Sequence, residues 1–98
     1  MQADELLIEI SEKNSQKDFK LLFESYYPSL CIFGRRYIES EEIVEDVVQD
    51  VFTSLWENRH RINIETSAKN YLITMTRNFC LNYLQRNRIE QNYIQGKM

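Results

Sequence analysis

The chain has 98 residues, 43% of them apolar and 28% charged, with a formal net charge of −3; that is enough apolar material for the core of one small domain and too much for wholesale disorder. Two glycines and one proline exclude a sandwich or barrel of many hairpins and point to an all-α bundle with a radius of gyration of about 13 Å. The acidic start and a longest apolar run of only Leu30-Cys31-Ile32-Phe33 read as neither a secretory leader nor a membrane span, so no membrane partner is expected.

Four helices follow from the spacing. The first covers about residues 4–13, with Leu6, Leu7 and Ile10 on one side. Ser15-Gln16-Lys17-Asp18 is capping-box-like and opens the second, in which Phe19, Leu22, Phe23, Tyr26, Leu30, Phe33 and Tyr37 recur at three- and four-residue steps to about Ile38. Pro28, lacking a donor, is expected to kink or divide this helix. Gly34 lies in the apolar stripe and is read as a point of close helix packing.

Ser40 is the expected N-cap of the third helix, with Glu41 and Glu42 at the positive end of its dipole. Ile43, Val44, Val47, Val48, Val51, Phe52, Leu55 and Trp56 fall on one stripe and Glu42, Glu45, Asp46, Gln49, Asp50, Thr53 and Glu57 on the other side. Residues 58–65 lose periodicity and read as a loop. Thr66 or Ser67 then caps a last helix to about Arg88, with Leu72, Met75, Phe79 and Tyr83 inward and fraying beyond.

Charge is divided along the chain. Residues 1–57 sum to −8 and residues 58–98 to +5, so the C-terminal part favours polyanions although the whole is acidic. Carboxylates at 42, 45, 46 and 50 repel one another on one helix face. They form either a solvated surface or a seat for a basic partner helix. Arg59, Arg61, Asn63, Lys69, Asn70, Arg77, Asn78, Asn82 and Arg86 combine cations for phosphates with amides suited to base edges. Asn70, Thr74, Arg77, Asn78, Gln85 and Arg88 share a flank able to follow a strand. The plainer reading is an ordinary exposed helix face, against which stands the number of asparagines, poor helix formers, within it.

Catalysis finds little footing. His60, the single histidine, has no nucleophile or orienting acid at recognisable spacing, and no glycine-rich phosphate loop is present. Cys31 and Cys80, each among apolar neighbours, read as reduced core thiols. No Cys/His set has ligand spacing, so neither a metal nor another cofactor is expected.

The string Ile43-Val44-Glu45-Asp46-Val47-Val48-Gln49-Asp50-Val51-Phe52 with Leu55-Trp56, followed by Tyr71-Leu72, Arg77-Asn78 and Asn82-Tyr83-Leu84, resembles the second conserved region of extracytoplasmic-function sigma factors of bacterial RNA polymerase. The resemblance covers about residues 17–90. It implies a cytoplasmic, all-helical promoter-binding domain without enzymatic activity. It also implies that Asp46, Gln49 and Asp50, flanked by Glu42 and Glu45, dock on the clamp coiled coil of the largest polymerase subunit. By the same resemblance, the loop from Arg61 to Thr66 and the helix beyond hold the non-template strand of the promoter −10 element, capturing a flipped base, as unstacked bases allow. An inhibitory anti-sigma factor is a further partner the resemblance admits. Asp50 stands where Glu is commoner, Tyr71 where Trp is frequent and Asn82 where Asp is frequent.

These residues encode no second helix-turn-helix domain of the kind that reads the −35 element, so a single domain, an isolated piece of a longer factor, is expected. The alternative is a helical protein-interaction module that binds no nucleic acid.

Overall fold

A computed structural model describes residues 2–63 and 67–94, those from 89 onward as backbone. The elements are α1 (Ala3–Lys13), α2 (Gln16–Gly34), α3 (Glu41–Glu57), a 3₁₀ turn (Arg59–Arg61) and α4 (Ala68–Ile94), with no strand among the described residues. Serines start three of the helices: Ser15 Oγ accepts from the Asp18 amide at 3.2 Å, Ser40 Oγ from Ile43 at 3.3 Å, and Ser67 Oγ from Asn70 at 3.1 Å. Each satisfies an amide that the first turn leaves without a helical partner.

The apolar stripes meet as expected. Leu7, Ile10, Leu22, Leu30, Val48, Phe52, Leu55 and Leu72 are buried together, and no described helix is long and apolar enough to cross a membrane. Gly34 is the point of closest approach: a Cβ there would lie 2.9 Å from Val44 Cγ1 and 3.6 Å from Cys80 Sγ. Its missing side chain therefore lets α2 reach α3 and α4 at once.

Several expectations are corrected. Pro28 does not divide α2, which runs unbroken past it; Glu24 and Pro28 are both exposed, so water serves the carbonyl that loses its helical donor. α2 stops at Gly34, not Ile38. Amides of Arg36, Tyr37 and Ile38 turn back onto the Phe33 and Gly34 carbonyls at 3.0–3.1 Å, which still delivers Ile38 into the core.

α4 continues to Ile94 rather than fraying at Arg88. Its innermost line is Ala68, Leu72, Thr76 and Cys80, while Met75, Phe79 and Tyr83 are half-buried. Thr76 is tolerated there because its Oγ1 donates to the Leu72 carbonyl at 2.8 Å. Beyond Cys80 no described α4 side chain is fully buried. The helix outruns the bundle, which stretches the molecule to 50 × 24 × 22 Å and its radius of gyration to 15.1 Å. Both cysteines are free thiols; Cys80 is buried and Cys31 half-buried.

Candidate functional site

α3 buries Val44, Val47, Val48, Val51, Phe52 and Leu55, and this fixes the rotation of its polar side. Glu42, Asp46, Gln49 and Asp50 are exposed, and Glu45 is half-buried. Among the described residues no Lys or Arg lies within ion-pair distance of any of these carboxylates. The ion pairs present are Lys13–Glu9 at 3.3 Å and Lys20–Glu24 at 4.0 Å, each within one helix. Among the described residues the acidic crowding is thus left unrelieved.

α2 adds what the spacing of α3 alone does not show. Gln49 Nε2 donates to the Tyr27 hydroxyl at 3.4 Å. The Tyr27 ring stacks on Phe23 at 4.8 Å, and Phe23 meets Phe52 edge-on at 4.9 Å. Phe19 continues the row to Trp56 at 5.2 Å. The rings of Phe19, Phe23, Phe52 and Trp56 floor a groove whose polar rim is Gln49, Thr53 and Glu57. The four-residue spacing of Phe19, Phe23 and Tyr27 was the available signal; the spacing alone does not tell a rim from a core. Burial raises the Tyr27 phenol above its ordinary range against the lowering effect of the Gln49 bond, and nearby Glu45 adds to the rise. Cys31, on the same side, is raised by burial and by Glu45 and Glu41.

The basic residues fall into three groups. Asn70, Arg77 and Asn78 are exposed and share one flank of α4, with Asn82 at its margin. Arg77 Nη1 reaches Asn78 Oδ1 at 3.4 Å, so the two present a joined cation and amide. At about 100° per residue, Lys69 and Arg86 lie about a third of a turn to either side of that flank. Arg86 sits instead over a shallow groove shared with Phe79, Asn82 and Gln85. Arg61 and Asn63 are exposed where the chain leaves the 3₁₀ turn. Ile64, Glu65 and Thr66, the rest of the expected reading loop, lie outside the described residues.

Arg59 does not join these groups. Its Nε donates to Asn14 Oδ1 at 2.8 Å and its Nη1 to the Trp56 carbonyl at 2.7 Å. The guanidinium also lies over the Trp56 ring, 4.1 Å from its centroid. The residue counted by charge as a phosphate contact is spent on holding the 3₁₀ turn. His60 likewise meets the Ser11 carbonyl through Nδ1 at 3.1 Å, with no nucleophile beside it. Among the described residues no cluster of three or more His, Cys, Asp or Glu could hold a metal.

An acidic helix face and a basic, amide-rich flank are therefore set on different helices with no ion pair between them among the described residues. A model of sigma-70 region 2 matches residues 22–89. The chain belongs to the sigma-70 region 2 family. A solved structure similar to this sigma region 2 domain is the NMR structure of the complex formed by an engineered region 2 of sigmaE with GTAAAA. The similarity has a TM-score of 0.77 and 27% identity over 88% of each chain. No match was found among curated proteins. The domain serves transcription initiation, in polymerase core binding and promoter −10 recognition. Region 2 is a non-enzymatic transcription-factor domain. Its partners are accordingly RNA polymerase core and promoter DNA.

Proposed function

We propose that the two functions of this sigma region 2 domain are divided between α3 and α4. Asp46, Gln49 and Asp50, with Glu42 and Glu45 extending the field, dock on a basic face of the clamp coiled coil in the largest polymerase subunit. Asn70, Arg77, Asn78 and Asn82, with Arg61 of the 3₁₀ turn and Asn63 just beyond it, hold the unpaired non-template strand of the −10 element. Arg77 neutralises a phosphate while the adjoining Asn78 amide offers a donor and an acceptor to a base edge. Lys69 and Arg86, turned off the flank, contribute to the field that attracts the strand. An anti-sigma factor that inhibits this domain would compete for the acidic face.

The observation that carries this reading is the unrelieved acidity of α3 beside a cation-and-amide flank exposed on another helix. The fold match to a region 2 solved with GTAAAA supports the second half of it.

The test is a pair of titrations on the same variants. Asp46→Ala with Gln49→Ala is expected to abolish binding to polymerase core while leaving the circular dichroism spectrum and single-strand DNA binding unchanged. Asn78→Ala is expected to weaken single-strand DNA binding, most for the favoured strand, while leaving core binding unchanged. Retained core affinity in the first, or equal loss of both affinities in either, contradicts the division.

A further inference from the structure

α1 lies outside the acidic face and outside the basic flank, yet it touches both ends of the chain that joins α3 to α4. At its start, Asp4 Oδ1 accepts from the Ala68 amide at 2.6 Å, so the first free amide of α4 is capped from another helix by a carboxylate, the stronger kind of cap. At its end, Asn14 takes a left-handed conformation (φ 53°, ψ 38°) that turns Oδ1 toward Arg59 Nε at 2.8 Å. One turn back, the Ser11 carbonyl meets His60 Nδ1 at 3.1 Å. Between these ends Leu6, Leu7 and Ile10 are sunk in the core, so α1 cannot slide. From Asp4 to Asn14 is about 15 Å at the helical rise, a fixed length set between the 3₁₀ turn and the first turn of α4.

The geometry points to α1 as a brace, with Asp4, Asn14 and Arg59 as positioning residues that fix where Arg61 and Asn63 stand relative to Asn70. This rests on the proposed division of function, since it concerns the spacing of residues assigned to the single strand. The hydrogen bond from Arg59 Nε to Asn14 Oδ1 adds nothing to strand binding by contact. Its effect is on register: two groups that must meet one strand at once lose effective concentration when one of them wanders.

Asn14→Gly is the decisive variant. Glycine accepts the left-handed backbone as readily as asparagine, so the C-cap of α1 survives and only the Oδ1 acceptor is lost. Asp4→Ala removes the other end. Binding of fluorescent GTAAAA and of its scrambled single strands is measured beside polymerase core binding, thermal melting, and proton exchange at the Arg61 amide, which the Asn58 carbonyl holds at 2.9 Å.

The expected result is a loss of about fivefold in preference among the strands for either variant, the change one hydrogen bond can carry. The salt slope and core affinity stay unchanged, and Arg61 exchange is faster in Asn14→Gly. Unchanged preference and exchange in Asn14→Gly overturns the brace. So does a parallel fall in every affinity together with the melting temperature, which marks a purely structural role. If the unmodified chain shows no preference among the strands, the proposed function fails instead, and the Arg61 exchange rate alone then decides for or against the brace.

Discussion

Gln49 Nε2 and the Tyr27 hydroxyl meet at 3.4 Å across the α2–α3 boundary, so the amide that faces polymerase in the proposed docking is tethered to a ring fixed by stacking on Phe23. Tyr27→Phe keeps the ring and removes the tether. Core affinity is expected to fall by a factor of about two to five, within the range of one net hydrogen bond, with the melting temperature almost unchanged. Full affinity in surface plasmon resonance would show that Gln49 needs no such support.

Gly34→Ala tests the packing point. Its new Cβ lies 2.9 Å from Val44 Cγ1, a short branched side chain with little freedom to retreat. Destabilisation of about 1–3 kcal/mol is expected, lowering Tm by at least about 5 °C in a domain of this size. Differential scanning calorimetry measures it, and a neutral result would mean that α3 can shift outward.

Arg77→Ala and Asn78→Ala separate phosphate from base contacts, although the two side chains touch. Loss of Arg77 should reduce the slope of log affinity against log salt by about 0.7 for a single strand, equally for all sequences. Loss of Asn78 should leave the slope intact and reduce the preference for the favoured strand. A changed slope in Asn78→Ala, or an unchanged one in Arg77→Ala, would reverse the assignments.

The thiols give a pH dependence. Burial raises Cys80 and Cys31 above the ordinary value of 9.0, so the folded state holds these protons more tightly than the unfolded chain. Their stabilising contribution is therefore complete below pH 9 and is lost as pH rises from there through the raised values. Urea unfolding at pH 8 and pH 10 should show the decline, and Cys80→Ala should make it shallower. At pH 7.5 Cys80 is expected to resist Ellman's reagent until the protein unfolds.

What could be read from the sequence and what could not divides by range of interaction. Ser15, Ser40 and Ser67 act on amides three residues away, so the helix starts were legible. The α3 stripe was legible because one period runs through it without interruption. Thr76 escaped notice because its hydroxyl is satisfied by the Leu72 carbonyl, which makes a polar residue behave as an apolar one. The role of Arg59 depends on Asn14 and that of Asp4 on Ala68, pairs brought together only by the fold, so charge alone placed Arg59 with the DNA contacts. Lys69 and Arg86 were grouped with Asn78 by composition, whereas helical rotation puts them on either side of the flank that Asn70, Arg77 and Asn78 share.

Because the anions of α3 and the cations of α4 form no ion pair among the described residues, the domain keeps opposite charges on two separate helices. At physiological ionic strength potentials decay over about 8 Å, so an approaching polyelectrolyte feels the nearer end and hardly the net −3. Before any contact forms, nucleic acid and a basic protein helix would each be drawn to a different helix of the domain. An encounter complex with both would then begin with the domain already facing the right way.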